Sequence, residues 1–271
     1  MSPAPAYRLI ATDLDGTLLT SRETVTERTL AALAAATAAG AKHLVVTGRP
    51  AAVTRAVFDG IGYTGLAVCG QGAQVYDAGA HRLLTSVTLD RRLAATALAK
   101  VEGEVGALRV AAHQDGADGA MLAGPGFELS IADLPMLRLD GHGGLWDEPI
   151  SKLYIQHPGM SDDDLAAAAH AVVGHLVGVV MAGEGIVELL PLGLTKATGL
   201  SIAARRLGVT AAETIAFGDM PNDIPMFGWA AYGVAMGGAH ERLRAVADEV
   251  TASNDDDGVA IVLERLFPVG G

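Results

Sequence analysis

A short apolar run that stops at an acidic turn, followed by a helical pattern and a second apolar run, constrains this chain more than any other feature of its 271 residues. Residues 8–12 read as a strand leading into Asp13-Leu14-Asp15-Gly16-Thr17. Residues 26–39 carry an alanine- and leucine-rich helical pattern, with Thr26 placed to cap its start and Gly40 just past its end. Residues 42–47 supply the next strand. Strand, helix and strand within about forty residues make a βαβ unit, so the two strands run parallel and their ends, at Asp13 and Thr47, share one carboxyl edge. Open α/β sheets bind ligands at that edge.

The alternation continues. Pro50 suits the first turn of another helix, residues 65–70 form a third strand, and residues 74–78 follow a glycine-rich turn. Far downstream, strands at 213–217 and 230–235 and helices at 240–247 and 257–267 return to the first sheet. Between them lie strand patterns at 107–112, 119–123, 151–156, 178–182 and 185–190, with helices near 90–101 and 162–176. The expected fold class is therefore α/β: a Rossmann-like parallel-sheet core from residues 1–81 and 191–271, with a smaller α/β module, residues 82–190, inserted into it.

Composition narrows the partners. The formal net charge of −12 argues against nucleic acid, because polyanion binding draws on clustered Lys and Arg. No apolar run reaches the roughly 18 residues of a membrane span, and the opening MSPAPAYR reads as a short tail without the features of a secretory leader, so a cytoplasmic location is expected. Cys69 is the only cysteine, inside an apolar run, and reads as buried filler. His170 and His175 are five apart on a helix and share no face, which sets aside a histidine metal site there. The glycine-rich 141–146 has no suitable strand before it, so dinucleotide binding is rejected.

Asp13 and Asp15, one residue apart at a strand end, repel unless something neutralises them. A divalent cation does so naturally, and Mg2+ favours one or two carboxylates with backbone oxygens, waters and a substrate phosphate. Alone, the pentapeptide also fits an ordinary Asp-Gly turn. A second acidic turn, Asp219, Asn222 and Asp223 after the strand at 213–217, changes the balance: if that strand lies beside the first, Asp219 reaches the same metal. The bland alternative is that Asn222 or Asp223 caps the next helix, as Asp162–Asp164 and Asp255–Asp257 are expected to do at theirs. Lys196 falls at a helix start, where a cation opposes the macrodipole. A phosphate held between Lys196, Thr47 and the amides of the Thr47-Gly48 loop would compensate it, whereas a solvated lysine is the plain reading. Arg49 could equally pair with surface acids.

In order along the chain, DLDGT at 13–17, TGR at 47–49, GLTK at 193–196 and GDMPND at 218–223 resemble the haloacid dehalogenase (HAD) superfamily of phosphohydrolases, in its Cof-type branch, subclass IIB, with a large C2-type cap inserted between the second and third motifs. Residues 236–248 and 251–260 resemble later segments of that branch. Gln71 and Gly238 stand where the branch usually has asparagine, and Ala197 where it commonly has glycine. The resemblance implies Asp13 as the nucleophile that forms an aspartyl-phosphate, and Asp15 as the acid and base. It also implies Mg2+ on the Asp13 carboxylate, the Asp15 carbonyl and Asp219 with Asp223 behind, and phosphate contacts from Thr47, Gly48, Lys196 and Asn222. A small phosphorylated metabolite, such as a sugar phosphate or cofactor precursor, is the expected substrate. A phosphomutase and a non-catalytic metal or phosphate sensor are the rivals. The scattered cations of the inserted module (Arg82, Arg91, Arg92, Lys100, Arg109, Arg138 and Lys152) favour hydrolysis over a mutase's second phosphate clamp.

Overall fold

The computed structural model describes residues 7–129, 136–183 and 185–268, so most of the opening tail lies outside the described residues. The first leg runs β1 (Leu9–Thr12), α1 (Glu27–Ala38), β2 (Lys42–Val46), α2 (Ala51–Ile61), β3 (Leu66–Cys69), β4 (Gln74–Asp77) and β5 (Arg82–Ser86). The middle contains α3 (Arg91–Val105), β6 (Arg109–Gln114), β7 (Met121–Ala123), β8 (Met136–Arg138), β9 (Ile150–Gln156), α4 (Asp162–Val173), β10 (Val177–Gly183) and β11 (Ile186–Pro191). The last leg adds α5 (Lys196–Leu207), β12 (Thr214–Gly218), α6 (Ile224–Trp229), β13 (Tyr232–Ala235), α7 (Glu241–Arg244), β14 (Glu249–Val250) and α8 (Gly258–Leu266).

Two sheets result. The first has eight strands in the order β14-β13-β12-β1-β2-β3-β4-β5, parallel from β14 to β3 and antiparallel at β4 and β5. Period-two alternation sends Ile10 to one face, against α1 and α8, and Leu9 and Ala11 to the other, against α5 and α6. Both faces are covered, which is why the central strands are apolar throughout. Thr26 caps α1 as expected, its side chain accepting from Thr29 N–H. Pro50 sits one position earlier than expected, as the residue before α2 rather than in its first turn. The expected boundary at residue 82 cuts through a hairpin: Arg82–Ser86 pairs with Gln74–Asp77, so this strand stays in the first sheet.

The second sheet has six strands, β10-β11-β9-β6-β7-β8, antiparallel except for β7 with β8. Helices α3 and α4 pack on one of its faces through Leu98, Val101, Leu165 and Ala169. The opposite face carries a smaller cluster, Ala111, Met121, Phe127 and Tyr154 among them. That face looks toward the carboxyl edge of the first sheet: Lys152 Nζ donates to the Gly48 carbonyl at 2.8 Å.

Candidate active site

β1 and β12 are parallel neighbours in the register Thr12 opposite Phe217, and Asp13 N–H extends the ladder to the Phe217 carbonyl at 2.9 Å. The two acidic turns therefore leave the sheet side by side. Leu14–Leu18 forms one broad turn closed by Leu19 N–H on the Leu14 carbonyl at 2.8 Å. Within it Gly16 has φ +66°, and a Cβ there would fall 2.2 Å from Asp219 Oδ2, so only glycine lets the turns approach this closely. Thr17 Oγ1 donates to Asp219 Oδ1 at 3.3 Å, tying the turns together.

Carboxylate oxygens of Asp13, Asp219 and Asp223 all lie within 4.8 Å of one another. Lys196, the first residue of α5, reaches into this group: its Nζ is 2.8 Å from Asp13 Oδ1 and 2.7 Å from Asp223 Oδ1. The cation that opposes the α5 macrodipole is thus held by two carboxylates of the protein itself. Asp223 closes its own turn, accepting from the backbone N–H groups of Asp219 and Met220 at 3.0 and 3.1 Å. It braces the site rather than capping the helix outward.

Charge in this group does not balance, because three carboxylates face one ammonium. Burial pushes the Asp13 carboxyl well above its usual range, and the neighbouring acids Asp223 and Asp219 push the same way against Lys196. Asp219 is raised to about 7 by burial and then by Asp223. For Lys196, burial opposes the charge, but Asp13 and Asp223 more than offset it and hold the ammonium protonated. With all three carboxylates ionised the shortfall is two positive charges, and hard oxygen donors surround it. This donor set fits Mg2+ or a similar divalent cation.

Asp15 behaves differently from its partner. Its carboxylate turns outward, half-exposed, and pairs with Arg49, whose Nε donates at 2.9 Å and Nη2 at 2.5 Å; Arg49 also reaches Glu23 at 3.2 Å. The two carboxyls of the turn thus part, because the guanidinium offers Asp15 a bidentate partner that Asp13 lacks. Thr47 is fully buried at the end of β2, and its hydroxyl accepts from Arg49 N–H at 3.0 Å. Gly48 and Asn222 border the same cavity of about 470 Å3 as Asp13, Asp15, Lys196 and Asp219. Asn222 Nδ2 donates to Gln71 Oε1 at 3.1 Å. Cys69 is buried, with its thiol pushed up to about 12 by burial, and is inert filler as expected.

Among the cavity's residues that sequence reading leaves unassigned to a site are Lys152 of β9 and Glu188 of β11, a buried pair on the second sheet. In the sequence Lys152 stands only among the scattered cations. The one signal was a charge inside each apolar strand, which marks a functional or paired position.

A family model described as haloacid dehalogenase-like hydrolase matches residues 10–263. The phosphatase YwpJ of Bacillus subtilis is 29% identical over 96% of this chain and 100% of its own length. A chloroplastic protein of Arabidopsis thaliana named endoribonuclease YBEY is also 29% identical over 96% of this chain, which spans only about half, 47%, of that longer protein. Among solved structures, a haloacid dehalogenase-like hydrolase from B. subtilis superposes with a TM-score of 0.82 at 26% identity, covering 96% of this chain and 99% of its own.

Proposed function

The chain belongs to the haloacid dehalogenase-like hydrolases, and from that premise we propose that it is a Mg2+-dependent phosphatase of a small phosphorylated metabolite, a sugar phosphate or cofactor precursor, working through an aspartyl-phosphate on Asp13. The observation that carries this reading is the two-charge deficit around Asp13, Asp219 and Asp223 with only Lys196 among them. Asp13, the Asp15 carbonyl and Asp219 would hold the metal. Bound there, Mg2+ supplies the positive charge that lets an anionic ester approach an anionic nucleophile.

The protein's own groups do the rest. An Asp13 carboxylate oxygen attacks phosphorus while the bond to the leaving oxygen breaks, and Asp15 gives that oxygen its proton. A water then attacks the acyl phosphate, Asp15 taking its proton back, and phosphate and free Asp13 return. For this Asp15 must turn from Arg49 toward the ester, and its side chain is half-exposed. Lys196, Thr47, Gly48 and Asn222 surround the phosphoryl oxygens, where fixed donors act on the charge that spreads during transfer. Asp223 orients Lys196. The second sheet closes over the ester as a cap.

The test is phosphate release from p-nitrophenyl phosphate by the full chain, with and without Mg2+. Release that requires the metal, together with a Mg2+-induced rise in melting temperature that Asp219→Ala removes, is expected. Equal release with and without metal, or an Asp219→Ala melt that still responds to Mg2+ as the parent does, would overturn the reading.

A further inference from the structure

Among the described residues, three buried side-chain atoms have no hydrogen-bond partner: Gln71 Nε2, Asn222 Oδ1 and Glu188 Oε2. The first two belong to side chains already bonded to each other in the core. Glu188 stands apart, on the cap. Its side chain is 3% exposed, its other carboxylate oxygen accepts from Lys152 Nζ, and it borders the cavity that holds Asp13. A charged acceptor left bare in a buried position is strongly disfavoured, so it calls for a donor that the chain does not supply.

The surroundings restrict that donor. Lys152 and Tyr154 point the same way from β9, and Tyr154 lies opposite Glu188 on β11. Lys152 Nζ sits 4.8 Å from the Tyr154 ring centre and donates to the Gly48 carbonyl at 2.8 Å, so Glu188 is fixed relative to the phosphate-binding loop. Met121, Leu129 and Ile186 supply apolar wall around it. Among the described residues, each cation on this cavity is matched: Lys196 with Asp13 and Asp223, Arg49 with Asp15 and Glu23, Lys152 with Glu188. When Asp15 turns to the ester, Arg49 keeps Glu23, so no cation there is left wholly unpaired for a second anion on the substrate.

Building on the phosphatase reading, we propose that Glu188 Oε2 accepts a hydrogen bond from an uncharged hydroxyl of the leaving group, so that the cavity takes phosphomonoesters of neutral polyols and turns away esters bearing a second anionic group. Glu188 is thereby a specificity-determining residue. Lys152 positions it, and Tyr154 with Met121 packs on the polyol's carbon faces. The same arrangement leaves a mutase's bisphosphate without a second clamp.

Phosphate release by the full chain with Mg2+ decides it, measured on ribitol 5-phosphate and glucose 6-phosphate, on 3-phosphoglycerate and fructose 1,6-bisphosphate, and on p-nitrophenyl phosphate. The two polyol esters are expected to exceed the two doubly anionic ones in kcat/KM by about tenfold or more. Glu188→Gln, which places an amide donor where the acceptor was, should lower the ratio of polyol to aryl ester kcat/KM by about 10- to 100-fold, chiefly through KM. A ratio unchanged in Glu188→Gln, or doubly anionic esters hydrolysed as well as the polyol esters, overturns the proposal while leaving the hydrolase standing. No release from any probe, the aryl ester included, sinks both readings. If a melt shows the variant unfolded, the comparison among probes with the parent chain still decides.

Discussion

The floor and the ceiling of one cavity are built on opposite electrostatic plans. The core sheet offers three carboxylates and one ammonium, a cluster that cannot balance itself. The cap sheet offers one carboxylate and one ammonium, balanced and set among apolar side chains. An unbalanced cluster suits a ligand charge that is always the same, a metal ion with a phosphoryl group. A balanced, partly apolar surface suits what differs between substrates, the neutral remainder of the ester. The sheets match these duties: β1 and β12 are parallel and covered on both faces, whereas the cap sheet leaves one face for the cavity.

The sharpest way to break this contrast is at the floor. Asp13→Asn removes the proposed nucleophile and is expected to lower kcat for p-nitrophenyl phosphate by about 10⁴-fold or more, as nucleophile removal does elsewhere. The fold should hold, because the change takes one like charge out of a crowded group whose remaining acids still hold Lys196 through Asp223. Steady-state phosphate release and a thermal melt check the two halves. A rate close to the parent's would move the chemistry away from this cluster.

At the ceiling the expected effect is on stability. Lys152→Met leaves Glu188 as an uncompensated buried charge, and breaking such a pair costs about 3–5 kcal/mol. Adding Glu188→Leu should recover most of that, since replacing both partners by apolar groups is often near neutral. Urea unfolding of the two variants measures it. Recovery in the double variant means the pair is kept for binding rather than for folding, which sharpens the division of labour. A double variant as unstable as Lys152→Met would assign the pair to the fold instead.

The same division decides what the sequence disclosed. Floor residues follow apolar strands in a regular order, so Asp13 and Asp219 stand out as strand-end acids in the sequence; that β12 lies beside β1 is a condition the sequence leaves open and the structure meets. The direction of the Asp15 side chain is not legible in the sequence, because its partner, Arg49, comes from the next βα turn and no local spacing shows a side chain turning outward. The carboxylate beside Lys196 is hidden for a similar reason: Asp223 sits 27 residues downstream, beyond any local spacing, so the sequence shows the cation without the acid that holds it. In the cap, Lys152 and Glu188 lie on separate antiparallel strands whose pairing the periodicity does not specify. β5 was lost to the cap because its hairpin with β4 looks no different in sequence from a domain junction.

The smallest expected effect separates the two modules by their histidines. His113 of β6 is 1% exposed, donates Nδ1–H to the Gln114 carbonyl at 2.8 Å, and has its pKa pushed down to about 4 by burial and then by Lys152, against that carbonyl and Asp115. His43 of β2 is also pushed to about 4 by burial, but the residue as a whole is only partly buried, its Nε2 lying 2.8 Å from Thr12 Oγ1. A depressed folded pKa means the unfolded chain binds the proton first. The stability each ring contributes is therefore complete above pH 6.5, the unfolded value, and is lost as pH falls toward 4. For His113 this loss is at most about 3 kcal/mol, and for the more exposed His43 it should be smaller. Urea unfolding at pH 7 and pH 5 should show a shallower acid loss in His113→Gln than in the parent, and only a slight change in His43→Gln. An equal or larger flattening in His43→Gln would place the acid-sensitive packing in the core, and the cap would no longer be the module whose burial is tuned close to its limit.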